Sequence, residues 1–148
     1  PINGIYSLGT SLTVDNSNIS ITNNNIFDFY SAASSSAGMN INSFSSGWTI
    51  TGNNFYQTAT RTATASNNHY GIFISNSGSG YTISNNNIGG STTAAGGTAW
   101  NYAGTFTNRF TGIAVNAAST CLLYTSDAAD DLLCVDLGGR RILKKKKQ

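Results

Sequence analysis

The sequence predicts an all-β solenoid of about three to four turns, in which short strands of successive turns stack side by side. Three observations predict it. One motif occurs three times, as Ile19-Ser20-Ile21-Thr22-Asn23-Asn24-Asn25-Ile26, Trp48-Thr49-Ile50-Thr51-Gly52-Asn53-Asn54-Phe55 and Tyr81-Thr82-Ile83-Ser84-Asn85-Asn86-Asn87-Ile88. A second short strand recurs upstream of each copy. Residues 1–120 also contain no stretch with the three-to-four-residue apolar spacing of a helix.

The upstream strand reads Leu12-Thr13-Val14, Met39-Asn40-Ile41, Ile72-Phe73-Ile74 and Ile113-Ala114-Val115. Gly38, Gly71 and Gly112 stand just before the last three, and Asn16, Asn42, Asn76 and Asn116 follow within two residues. Ile41 lies nine residues before Ile50 and Ile74 nine before Ile83, whereas Val14 lies only seven before Ile21. Such intervals leave no room for a crossover helix, which excludes a doubly wound α/β fold. Period-two alternation then assigns the faces. Met39/Ile41, Ile72/Ile74, Ile113/Val115, Ile19/Ile21, Trp48/Ile50 and Tyr81/Ile83 point inward; Ser20/Thr22, Thr49/Thr51 and Thr82/Ser84 point to solvent. A single turn cannot bury its apolar face, so stability has to come from the stack.

The asparagines after each motif fall into registers, Asn24/Asn53/Asn86 and Asn25/Asn54/Asn87. Asn tolerates left-handed backbone and bonds its own local chain, and stacked amides can also bond from turn to turn. The return segments then vary: twelve residues lie between Ile26 and Met39, sixteen between Phe55 and Ile72, and twenty-four between Ile88 and Ile113. Insertions leaving one corner gather on one side of a solenoid. They carry Phe29, Tyr30, Tyr56, Arg61, His69, Tyr70, Trp100, Tyr102, Phe106 and Arg109, rings and cations that either stack on sugars or cover the core beneath the loops.

The pattern Gly-Ile-x-Ile-x-Asn followed by Thr-Ile-Ser-Asn-Asn-Asn-Ile resembles the right-handed parallel β-helix repeat of pectin-lyase-like proteins, over about residues 11–120. The resemblance implies that fold, and a family that includes lyases, hydrolases, epimerases, tailspikes and adhesins; it names no reaction.

Composition bounds the rest. With 148 residues the chain is one domain or part of one, and it is only 9% charged, with no Glu. Residues 1–120 hold just Asp15, Asp28, Arg61 and Arg109, which sum to zero, so the net charge of +2 belongs to residues 121–148 and is no footprint for nucleic acid. No apolar run is long enough to span a bilayer. A cysteine-free, nearly uncharged, Asn/Thr-rich stretch suits an extracellular or cell-surface location. The opening at Pro1 in mid-pattern reads as that of a fragment.

Little of this can do chemistry. Glycoside hydrolysis needs two positioned carboxylates, and residues 1–120 offer Asp15, an outward turn residue, and Asp28, a loop residue placed to pair with Arg61 one turn later. The acidic cluster of a calcium-dependent lyase and the Asp-Asp and Gly-His-Gly signatures of polygalacturonase-like members are missing from this stretch. His69 sits among polar residues, Ser66-Asn67-Asn68-His69-Tyr70, which suggests a solvated or hydrogen-bonded loop histidine. No Cys/His set has metal-ligand spacing, and no cofactor is implied.

Beyond Thr120 the pattern stops. The rung begun at Gly112 predicts an isoleucine near position 124, and Tyr124 stands there instead. Residues 121–148, with Val135-Asp136-Leu137-Gly138-Gly139-Arg140-Arg141-Ile142 and the run Lys144–Lys147, resemble an in-frame translation of a sequencing-library adaptor followed by poly-A. The alternative is a weakly docked capping helix with Ser126 as N-cap and Gly138 as its end.

The resulting expectation is a β-helix over 1–120 and a non-native tail over 121–148. Its function is that of a secreted or cell-surface structural and adhesive scaffold, with no catalytic carboxylate pair or calcium cluster in the residues present. Its expected partner is polysaccharide or cell-surface glycan, with Tyr56, Arg61, His69, Trp100, Tyr102 and Arg109 as the candidate contacts. Two alternatives stand beside it: a non-catalytic portion of a polysaccharide lyase or glycoside hydrolase, and an ice-binding solenoid carrying the Thr49/Thr51 hydroxyl ladder.

Overall fold

Every strand pairs in parallel with its counterpart one rung away, and the chain climbs as a right-handed parallel β-helix of a few turns. The structure is a computed structural model and describes residues 2–116 and 122–123. The first rung comprises β1 (Asn3–Ser7), β2 (Asn16–Ser17), β3 (Ser20–Thr22) and β4 (Asn25–Phe27). The second holds β5 (Ser36–Ile41), β6 (Ser45–Ser46), β7 (Thr49–Thr51), β8 (Asn54–Tyr56) and β9 (Arg61–Thr62). The third holds β10 (Asn68–Ser75), β11 (Thr82–Ser84), β12 (Asn87–Ile88) and β13 (Tyr102–Ala103). The fourth begins with β14 (Arg109–Asn116) and β15 (Leu122–Leu123).

Three sheets run along the solenoid: β1-β5-β10-β14, β3-β7-β11-β15 and β4-β8-β12. The repeated motif therefore supplies two sheets and the corner between them. Ile21, Ile50 and Ile83 stack in register, with Ile50 and Ile83 buried, and Trp48 and Tyr81 are buried beside them. Met39, Ile41, Ile72 and Ile74 of the first sheet close the core from the other side.

The first rung corrects one expectation. The strand that pairs with Met39-Asn40-Ile41 is Ile5-Tyr6-Ser7, not Leu12-Thr13-Val14. Leu12 and Val14 are 82% and 63% exposed, in a tight excursion closed by an antiparallel bridge between Ser11 and Val14. Ser7, the register partner of Ile41, lies fourteen residues before Ile21, against nine from Ile41 to Ile50, so the excursion is a five-residue insertion and the seven-residue interval from Val14 spans no strand pair. Ile19 and Ile113 also depart from the predicted core, both being more than a third exposed. Each lies on an outer rung: β3 ends its sheet, as β14 ends the sheet that holds Ile113.

Glycine has a steric role in the first sheet. Along β10 the buried side chains are His69, Ile72 and Ile74, so the alternation slips by one residue at Gly71. A Cβ on Gly38 would lie 2.5 Å from Phe55 Cδ1, and one on Gly71 would lie 2.8 Å from Ile88 Cγ2. The apolar residue of the third sheet occupies the space that a side chain would need. Gly4 repeats the contact with Ile26 Cγ2 at 2.7 Å, which confirms Gly4-Ile5 as the true first copy.

The corner asparagines form two columns. In the inner one the Asn24 N–H donates to Asn53 Oδ1 (2.9 Å) and the Asn53 N–H to Asn86 Oδ1 (3.0 Å), so each acceptor sits in the later rung. Asn53 Nδ2 also donates to Asn86 Oδ1 (3.0 Å) and to the Ile21 carbonyl (2.8 Å), and Asn53 is fully buried. In the outer column Asn54 Nδ2 donates to Asn25 Oδ1 (2.9 Å) and Asn87 Nδ2 to Asn54 Oδ1 (3.0 Å), so each acceptor sits in the earlier rung. The bend itself is made one residue earlier, at Asn23, Gly52 and Asn85, all with positive φ.

β15 continues the second sheet past the expected boundary at residue 120. Leu122 pairs with Thr82 and Leu123 with Ile83, so position 123, rather than 124, stands beside Ile83. The remaining tail residues, and the capping-helix alternative placed on them, lie outside the described residues.

Candidate functional site

The return segments converge beside the start of β10. His69 is not in a loop; it is the second residue of that strand and is 1% exposed. Its register neighbours are Ser36 below and Phe110 above. Non-local packing thus buries a ring whose sequence neighbours are all polar. Tyr30 and Tyr102 flank it, with ring centroids 4.8 and 5.3 Å from the imidazole and 5.3 Å from each other.

Both imidazole nitrogens are bonded: Nδ1 to Ser36 Oγ at 2.8 Å and Nε2 to Asn108 Oδ1 at 2.9 Å. Asn108 is oriented by its own Nδ2, which donates to the Phe106 carbonyl at 3.1 Å. Its oxygen therefore faces His69, so Nε2 carries the hydrogen and Nδ1 accepts from the Ser36 hydroxyl. Burial lowers the His69 pKa, against an opposing effect of the Asn108 bond, so the neutral ring is favoured. Burial likewise raises the Tyr102 phenol to about 12, with Tyr30 adding to the effect.

The order serine, histidine, asparagine matches that of a nucleophile relay, but the geometry does not serve one. Ser36 is buried, and a nucleophile must reach a substrate atom. The chain of bonds instead ties three rungs together, from β5 through β10 to the segment before β14.

Of the six candidate contacts, the structure brings together His69 and Tyr102, with Arg61 near enough to Tyr30 to oppose the upward shift of its pKa. The Arg61 guanidinium pairs with Asp28, as expected from sequence, and its Nε donates to Gln57 Oε1 at 3.2 Å. Burial pushes the Asp28 carboxyl up, but the Thr58 N–H (2.9 Å), the Thr58 hydroxyl (2.8 Å) and Arg61 outweigh it and hold the carboxyl below its ordinary value. Trp100 lies apart, edge-on to Phe29 at 5.9 Å and Phe110 at 4.1 Å, over the core. Arg109 is exposed at the start of β14.

Tyr56 belongs to a second place, on the outer face of the third sheet. It stacks on Phe27 of the preceding rung, with centroids 5.1 Å apart and planes 11° from parallel. Phe27 is 50% exposed, and sequence reasoning passed over it, although Asn25-Ile26-Phe27 and Asn54-Phe55-Tyr56 hold the two rings at one offset. Ser36 was equally legible, three residues before Met39 as His69 is before Ile72. Asn108 carried no such signal.

Compared with protein-family models, curated proteins and solved structures, the chain matches none of them. Among the described residues no group of three or more His, Cys, Asp or Glu is placed to hold a metal ion, and no helix is long and apolar enough to cross a membrane. The outward hydroxyl ladder is partly self-bonded, with Thr51 Oγ1 and Ser84 Oγ 3.0 Å apart.

Proposed function

We propose that the chain is a structural and adhesive scaffold of the pectin-lyase-like β-helix kind, displayed outside the cell or at its surface and contacting carbohydrate. One observation carries the reading. Ser36, His69 and Asn108 are tied to one another around a buried imidazole, while the sheets present hydroxyls and amides outward. An uncharged hydroxyl and amide surface suits sugar hydroxyls, since both sides donate and accept. The asparagine columns give the stiffness that display requires, because each rung is fixed to the next by side chains as well as by backbone.

The test is incubation of the purified chain with a panel of soluble plant and bacterial polysaccharides. The scaffold reading expects retention by some of them without release of reducing ends or unsaturated products. Release of either would overturn it.

A further inference from the structure

The chain holds a single Asn-x-Ser/Thr triplet, Asn18-Ile19-Ser20, although asparagine, serine and threonine fill its sequence. Such a triplet, with any residue but proline in the middle, is the acceptor signal for N-linked glycosylation. Its place in the fold decides whether the signal can be used. Ser20 pairs in register with Thr49, and Thr49 with Thr82, so Asn18 is the first-rung counterpart of Gly47 and Gly80. The backbone repeats accordingly. The Asn18 N–H donates to the Ser46 carbonyl at 3.0 Å, as the Gly47 N–H donates to the Ser79 carbonyl at 2.8 Å. All three residues are left-handed, with φ of 56°, 65° and 77°, and asparagine is one of the few residues with a side chain that visits this region.

The first rung departs from the others in what it exposes. Trp48 and Tyr81, which follow the two glycines, are buried, whereas Ile19 is more than a third exposed and Asn18 and Ser20 are exposed on either side of it. The acceptor amide is also uncommitted. The Nδ2 groups of Asn16, Asn24, Asn53 and Asn54 each donate to a neighbour, while that of Asn18 donates to nothing among the described residues. A Cβ on Gly47 would lie 2.7 Å from Asn18 Oδ1, so the glycine of the next rung leaves the room this carboxamide occupies. Asn18 lies at the corner between β2 and β3, outside both strands, where a bulky substituent on the side chain leaves the ladder bonds intact.

We propose that Asn18 is an N-glycosylation site. Its Nδ2 forms a bond to the anomeric carbon of an oligosaccharide carried on a lipid pyrophosphate. The anomeric C–O bond breaks, the lipid pyrophosphate leaves with the electron pair, and one amide proton passes to a base of the transferase. The Ser20 hydroxyl is the group the transferase reads beside the amide. The proposal rests on the extracellular part of the reading above, because this transfer acts on chains entering a secretory pathway.

Expression of the full chain behind an added signal sequence in insect cells tests it, with chains from the cells and from the medium compared by intact mass before and after peptide N-glycosidase. Expected is one oligosaccharide, whose enzymatic release converts residue 18 to aspartate. Asn18→Gly, which restores the residue of the equivalent corners, and Ser20→Ala both abolish the addition, and Ser20→Thr, the residue of the next two rungs, retains it. Because Asn18 is exposed, the glycan is released from the native chain, and the glycosylated chain melts together with Asn18→Gly. An unmodified wild-type chain in the medium, or a glycan that persists in Asn18→Gly, overturns the site and leaves the extracellular reading standing. Release only after unfolding overturns the exposed placement on which the proposal depends. A glycosylated chain kept inside the cell supports the site and counts against the extracellular reading, and an unmodified chain kept inside overturns both.

Discussion

Replacing Asn53 by alanine tests the load on the inner amide column. The side chain accepts from the Asn24 backbone N–H (2.9 Å) and Asn24 Nδ2 (3.2 Å), and donates to the Ile21 carbonyl (2.8 Å) and Asn86 Oδ1 (3.0 Å). After Asn53→Ala the Asn24 N–H loses its acceptor and the Ile21 carbonyl loses a donor, whereas Asn86 Oδ1 keeps the residue-53 N–H. Losing partners at these two part-buried groups costs about 1–3 kcal/mol in all, and that is the expected loss. That is a large part of the roughly 5–15 kcal/mol available to a domain. Asn24→Ala, on the exposed end rung, leaves groups that water reaches and is expected to cost about 0.5 kcal/mol. Equilibrium urea unfolding, followed by circular dichroism with the slope checked against wild type, measures both. A loss below about 1 kcal/mol for Asn53→Ala, or one equal to that of Asn24→Ala, would refute the argument that buried amides hold the rungs.

The other predictions follow from the core and from titration. Gly38→Ala is expected to destabilise by about 2–3 kcal/mol through overpacking against Phe55 Cδ1 (2.5 Å), whereas Gly112→Ala, whose nearest neighbour is 4.0 Å away, stays within about 0.5 kcal/mol of wild type; parallel thermal melts compare them. The folded pKa of His69 lies below its unfolded value of 6.5, so its contribution is complete above that pH. It is lost as the pH falls from there toward the folded pKa, because the unfolded chain takes up the proton first; unfolding free energies from pH 8 to 5 show this slope, and His69→Phe removes it. The Asp28 pKa is lowered from 3.8, so its contribution is present above that value and is lost only as the pH falls through the folded pKa. Absorbance titration of the phenols places Tyr102 near 12, and its contribution to stability is lost as the pH rises from 10 toward that value.

The architecture was legible because each rung repeats the same local chemistry: apolar alternation, a left-handed corner and an amide after it. The error at Leu12-Thr13-Val14 shows the limit of alternation alone. Three β-branched or aliphatic residues satisfied the pattern, yet the steric requirement for glycine ahead of the strand, met by Gly4-Ile5, was the stronger signal. His69 was misplaced for a different reason. Its sequence neighbours are polar, and its burial comes from Tyr30 and Tyr102, one from each neighbouring return segment. The Asp28–Arg61 pair was foreseen because they are the one acidic and the one basic side chain of two neighbouring return segments, whereas Asn108 lies in the longest return, where no repeat fixes the register.

The two asparagine columns have opposite directions of donation, and this bears on how long such a solenoid can grow. Amide dipoles aligned head to tail along one axis sum with length, as they do in an α-helix, and leave partial charges at the ends. Here each acceptor of the inner column sits in the later rung and faces the earlier one, and each acceptor of the outer column sits in the earlier rung and faces the later one. Each added rung contributes two amide dipoles that largely cancel. The corner thus propagates without accumulating a field along the axis, and a stack of many rungs has ends no more polar than a stack of three.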